Sequence, residues 1–200
     1  MVPKIIRKPV RHLRLDMRSG ELVVVAPEDM PTERIVDAMR KHARWIELRQ
    51  EKISQYMREA NALSNTVIVF GRQRKTPPDA HELRLELRKR AEKILRDLSR
   101  RTGLTYRDLV IRNMRTKWAS YTPNRNVVLN LHAAVLPERH LRYLLLHELA
   151  HSVARKHNDV FWTILRNHFA DEDVLKIEQD LGKYWFYVEM NEWWRRTLGL

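Results

Sequence analysis

Two histidines and a glutamate, His147, Glu148 and His151, stand within the run LLLHELAHSVARKHNDVFW. This H-E-x-x-H pattern constrains the chain more than any other feature, because its chemistry requires a helix. Each helical residue turns about 100°, so positions four apart share a face one turn apart. Both imidazoles then reach one ion, and Glu148 lies beside them where it can hold a water and take its proton. Leu144, Leu145 and Leu146 precede the motif and read as core. The spacing therefore predicts a packed helix over about 138–155, opened by Pro137. An ordinary buried helix with histidines at its edge is the competing reading.

His157 follows His151 by six positions. An unbroken helix would rotate it to the wrong face, so the chain must turn near Lys156–Asn158 to bring His157 back over the site. Asn158 tolerates the left-handed conformation that ends helices, and Arg155 and Lys156 suit a helix C-terminus. His157 is the third candidate ligand, with Glu172 or Glu178 as alternatives from the next helix. Phe161 and Trp162 open a further apolar helix that could fix the turn.

The chain has no cysteine, which excludes disulfides and thiolate sites and leaves imidazole and carboxylate for any transition metal. Its 200 residues, 44% of them hydrophobic, suffice for one good core with a small appendage. No apolar run approaches the roughly 18 residues of a membrane span. The N-terminal MVPKIIRKPVRHLRL has no apolar stretch or cleavage site of a signal peptide, so a cytoplasmic protein is expected. The net charge of +13 favours polyanions, either nucleic acid or an acidic protein partner. Arginine is spread along the whole chain, and a solubilising surface accounts for the same excess.

Leu13, Leu15 and Met17 alternate with polar neighbours, which predicts a strand over 10–17. A turn at Arg18-Ser19-Gly20 and a second strand, Leu22–Val25, complete a hairpin. Thr32 reads as the cap of one long helix over about 33–58. Residues 66–70 read as a short strand, and Gly71–Pro78 as the internal boundary. Asp79 with Glu82 forms a capping box for a helix over about 80–101, ended by Gly103. That helix pairs an apolar stripe with a basic face (Arg88, Lys89, Arg96 among others), a candidate phosphate-tracking surface. Strands follow at Leu109–Arg112 and Asn126–Leu131, joined by the Trp118 loop, and helices at about 159–170 and 171–181. The tail concentrates aromatics, and alternation over Tyr184–Val188 suggests a strand, beside Trp193, Trp194, Arg195 and Arg196. The expected organisation is an N-terminal subdomain over 1–75, a core over 76–182 and a tail over 183–200.

Taken together, H-E-L-x-H-x5-H-x3-F-W resembles the YgjP-like metallopeptidases, zinc hydrolases of the zincin type distantly similar to SprT-like proteases. Met114-Arg115-Thr116-Lys117-Trp118-Ala119-Ser120 and Val127-Val128-Leu129-Asn130 resemble the family's M-x-T-[RK]-W-G-S-C and I-x-L-N. The basic hairpin, V-x-A-P and the Arg44-Trp45-Ile46 helix end fit as well, so the resemblance spans roughly 5–170. Where the family has W-G-S-C, this chain has Trp118-Ala119-Ser120-Tyr121. The SVARK segment between His151 and His157 lacks the glycine of metzincins. The resemblance implies an α+β fold: an N-terminal β-hairpin and long helix, then a zincin-like core with a small antiparallel sheet and the H-E-x-x-H helix. It implies Zn2+ on His147, His151 and His157, with Glu148 as general base for a metal-activated water that attacks a peptide bond. Tyr121, His132, His140 and Arg115 are candidates for the donor that stabilises the oxyanion. The strand Asn126–Leu131 is the expected edge on which an extended polypeptide substrate would pair, an internal strand being the alternative. A second function class is a basic nucleic-acid-associated or partner-binding protein with a structural metal site. A third joins the two, as a protease recruited to protein–DNA complexes.

Overall fold

A computed structural model of the chain describes residues 3–18, 21–62 and 66–198. The expected turn residues Ser19 and Gly20 lie outside them. The fold is α+β, and the chain divides into two compact units, Met1–Ala62 and Leu63–Leu200. The division falls before the 71–78 segment that reads as a boundary in the sequence. That segment belongs to the second unit, where Phe70 N–H bonds Ala134 C=O at 2.7 Å and Gly71 N–H bonds Val135 C=O at 3.0 Å.

In the first unit a three-stranded sheet runs in the order β1 (Lys4–Lys8), β3 (Glu21–Pro27), β2 (Arg14–Arg18). β2 and β3 form the expected hairpin, with Leu15 opposite Val24. β1 adds a parallel strand on the far side of β3, with Ile5 opposite Val24. Central β3 is buried from Leu22 to Ala26, whereas a strand with one wet face would alternate. Leu22, Val24 and Ala26 pack with Ile35, and Leu15, Met17 and Met39 close over them. The single expected helix is two, α1 (Thr32–Lys41) and α2 (Ala43–Ala62), parted at His42. Pro31 holds the N-cap position, so Thr32 is helical and makes no cap bond. Proline supplies the φ for entry without needing a donor.

In the second unit β4 (Val67–Val69) and β5 (Arg72–Arg74) form a small hairpin. α3 (Ala80–Thr102) starts as the sequence predicts: the Asp79 carboxylate accepts from His81 and Glu82 N–H. It ends at Gly103, left-handed with φ 73°. Its Leu83, Leu87, Ala91, Ile94, Leu95 and Leu98 are buried on one side. The expected antiparallel sheet is mixed. β6 (Asp108–Arg112) runs parallel to β8 (Asn126–Asn130), and only β7 (Ala119–Tyr121) is antiparallel to it. The order β6–β8–β7 places β8 in the middle. Its Val127, Val128 and Leu129 are buried as a continuous run, and both of its backbone edges are occupied.

The 3-10 turn Leu131–Val135, wholly buried, leads from β8 to Pro137 and α4 (Glu138–Ala150). α5 (Asp159–Arg166), α6 (Asp171–Met190) and α7 (Glu192–Leu198) complete the unit. The aromatic tail is therefore helix, where alternation suggests a strand. It is part of the core: Trp194 is fully buried and its Nε1–H bonds Ile68 C=O at 3.3 Å. Tyr187 Oη donates to Thr66 C=O at 2.8 Å and accepts from Ile68 N–H at 2.9 Å.

Candidate active site

α4 carries the motif. Leu144–Leu146, Leu149 and Ala150 are buried, so the helix is anchored and its histidines are held in a fixed direction. It stops at Ala150, with His151 as C-cap, shorter than the expected 138–155. Ser152, Val153 and Ala154 tighten the end through bonds to Leu149 and Ala150 C=O. Asn158 is not left-handed. It is extended, with φ −89°, and its side chain caps α5 by accepting from Phe161 N–H at 3.2 Å. The chain leaves α4 early and re-enters a helix at Asp159, and the segment between swings His157 inward.

His147, His151 and His157 come together, each offering a ring nitrogen, with these atoms all within 4.8 Å of one another. Phe161, fully buried, lies beneath all three rings, its centroid 4.8, 5.0 and 4.4 Å from theirs in that order. Trp162 Nε1–H bonds His157 C=O at 3.1 Å and ties that histidine's backbone to α5. The Phe-Trp pair is thus both floor and tether of the third imidazole. His151 Nδ1 lies 2.9 Å from Ala154 C=O. A carbonyl only accepts, so Nδ1 is the donor, which leaves Nε2 as the ring nitrogen open to an ion. Burial, and then its two histidine neighbours, hold the His147 pKa down at about 4, so its ring is neutral. Three imidazoles that each offer a ring nitrogen, close together, fit a transition-metal ion. Neither alternative third ligand joins them: Glu178 accepts from Tyr143 Oη at 2.9 Å, and Glu172 is outside the cluster.

Glu148 is buried, and desolvation raises its pKa. The Tyr121 backbone N–H, His151 and Lys117 offset part of that rise. The Tyr121 amide is aimed at the site by sheet geometry. Thr122 N–H bonds Asn126 C=O and Asn130 N–H bonds Trp118 C=O, so residues 118, 120 and 122 use their backbone on β8. Ala119 and Tyr121 therefore turn their N–H and C=O groups away from β8, towards the cleft. The other edge of the sheet is closed, since Arg84 and Arg88 of α3 bond the Ile111 and Leu109 carbonyls of β6. The available edge is β7, one strand over from the expected Asn126–Leu131.

The motif histidines and Glu148 open into a cleft of about 1110 Å³ bordered by β7, the β7–β8 turn and the Gly103–Thr105 segment. Of the four candidate oxyanion donors only Tyr121 lines it, and its hydroxyl donates to Thr105 C=O at 3.1 Å. His132 is buried against Trp118 and Trp185, with ring centroids 6.3 and 4.9 Å away. His140 bonds Asp180 at 3.1 Å, and Arg115 is exposed outside the cleft. Asn130 has a role that its motif position did not disclose. Fully buried, it bonds Met114 and Lys117 C=O at 2.7 Å each and accepts from Met114 N–H, which shapes the loop into β7. Lys117, Arg125 and Arg155 also line the cleft, and the sequence reading missed all three. The basic face of α3 is partly self-paired, through Arg88 with Glu92, Arg90 with Glu86, and Arg101 with Asp97.

The family model described as YgjP-like, metallopeptidase domain, matches residues 11–82 and 79–181. No curated protein matches the chain. Among solved structures, the metallopeptidase zymogen of Pyrococcus abyssi abylysin is 25% identical, over 46% of this chain and 90% of its own, with a TM-score of 0.43. The metallopeptidase zymogen of Methanocaldococcus jannaschii jannalysin is 24% identical, over 54% of this chain and 97% of its own, with a TM-score of 0.41.

Proposed function

The chain belongs to the YgjP-like metallopeptidase family, and from that premise we propose a zinc-dependent peptidase of zincin type, with His147, His151 and His157 as ligands and Glu148 as general base. The observation that carries this reading is the convergence of three imidazoles beside a buried carboxylate in an open cleft. A zinc ion held by neutral imidazoles supplies Lewis-acid activation of water and of the scissile carbonyl.

The chain's own groups do the rest. Glu148 accepts a proton from water and returns it to the leaving amine; a carboxylate lifted by burial is better matched to both transfers near neutral pH. The Tyr121 amide and Lys117 stabilise its charged form and limit the lift. The His151–Ala154 bond orients one ligand, and Phe161 excludes water beneath all three. An extended polypeptide pairs along β7, where the outward Ala119 N–H and C=O and the Tyr121 C=O provide backbone hydrogen bonds while the Tyr121 N–H serves Glu148.

Glu148→Gln should retain one zinc per chain while peptide hydrolysis falls by about 10²–10⁴-fold. Elemental analysis and a quenched-peptide assay measure both, and undiminished hydrolysis in that variant overturns the assignment. His157→Ala should lose zinc on dialysis; full retention would place the third ligand elsewhere.

A further inference from the structure

We propose that the cleft selects acidic stretches of polypeptide, with Arg125 and Arg155 as the residues that impose the preference. The inference rests on the peptidase reading above and adds the substrate class. Lys117, Arg125 and Arg155 line the cleft, and Glu148 is the sole carboxylate among its lining residues. Among the described residues no ion pair neutralises any of these three cations. Several arginines of α3, α4 and α5 behave differently. Asp97 alone serves Arg100, Arg101 and Arg142, and Asp171 serves Arg166. The positive charge left without a counter-ion therefore includes three groups where a substrate would lie, in a concave site that concentrates their field.

Arg125 supplies an independent observation. It closes the β7–β8 turn, its N–H bonding Thr122 C=O at 2.8 Å, with φ at 61°. That left-handed position favours glycine, and a long side chain there is strained. Strain of this kind persists where the side chain has work to do. The guanidinium is steadied across the cleft wall, Nη2 donating to Thr105 Oγ1 at 2.7 Å. Arg155 stands in the segment between His151 and His157, and Lys117 at the entry to β7. Cations thus border the β7 edge at both ends and the metal ligands themselves. Carboxylates flanking a scissile bond would meet them.

A polypeptide suits this cleft better than a nucleic acid does. The β7 edge offers N–H and C=O groups that pair with a peptide backbone. Base stacking needs aromatic faces, and besides the ligand imidazoles the lining has only Tyr121, whose hydroxyl is held by Thr105.

The test uses the zinc-loaded full chain and three fluorescent peptides with one scissile pair, flanked by Glu, by Gln or by Lys. kcat/KM is read for each, and Kd by anisotropy on Glu148→Gln. The Glu-flanked peptide should lead the Gln-flanked one by about tenfold in both readouts, with the Lys-flanked one last. The lead should shrink at high salt. Arg125→Gly, which places glycine where the backbone favours it, and Arg155→Gln should each lower the Glu-to-Gln ratio several-fold. The double reversal Arg125→Glu with Arg155→Glu should invert it. A ratio near one in the wild type, or one unmoved by these changes, overturns the proposal while leaving the peptidase reading intact. If no peptide is hydrolysed, the peptidase reading fails, and anisotropy still decides the preference. A single-stranded oligonucleotide that displaces the Glu-flanked peptide and binds more tightly overturns it in favour of nucleic acid.

Discussion

His132 is buried between Trp118 and Trp185 with neither ring nitrogen hydrogen-bonded, and desolvation lowers its pKa to about 4. The unfolded chain takes up this proton below about pH 6.5, the folded chain only below about 4. Folded stability is therefore lost as pH falls through that window, by on the order of 3 kcal/mol from this residue. His132→Leu should flatten the pH dependence of urea midpoints between pH 4 and 6.5; an unchanged slope would show that the ring finds a partner. Trp162→Phe keeps the ring but removes the donor to His157 C=O, and zinc affinity should fall about tenfold by chelator competition. At this scale the closeness of His147 and His151 was legible because four-residue spacing fixes a shared face. Lys117, Arg125 and Arg155 were not, because they come from three separate segments and no local period joins them to the site. Asn158 was legible as a boundary but with its direction reversed: the same side chain that can end a helix also caps one.

Among the elements, α3 was readable at both ends, since Asp79 and Gly103 act through their own backbone neighbourhoods. Two left-handed glycines separate local from tertiary constraint. Gly103 has open space where a Cβ would sit, so Gly103→Ala should cost only the backbone term, about 1–2 kcal/mol. At Gly71 a Cβ would meet Pro137 Cγ at 2.7 Å. Gly71→Ala should therefore cost more, because Pro137 opens α4; equal melting temperatures for the two variants would refute the distinction. The strand expected at Tyr184–Val188 lies within α6, and a segment this short and apolar cannot be told from a strand by periodicity alone. The acidic first turn of α6, Asp171, Glu172 and Asp173, was the better signal. β8 was found correctly as a strand, but its central place depends on β6 pairing parallel to it, and order within a sheet leaves no local mark.

For the molecule as a whole, each compact unit has its own buried apolar residues, and the three clustered histidines, Glu148 and the cleft all lie in the second. Residues 63–198 alone should fold and bind one zinc, measured by circular dichroism and metal titration; loss of binding would give the first unit a part in the site. Trp194→Ala should destabilise that unit by about 3–5 kcal/mol through the cavity it leaves. The aromatic clasp also sets a schedule for biosynthesis. Tyr187 and Trp194 secure Thr66 and Ile68, partners 119 to 126 positions earlier, while Phe70 and Gly71 brace the turn that leads into α4. On the ribosome all three histidines emerge before that clasp can close. A nascent chain therefore carries these histidines on a scaffold whose clasp is still open, and the clasp closes only when translation has passed Trp194.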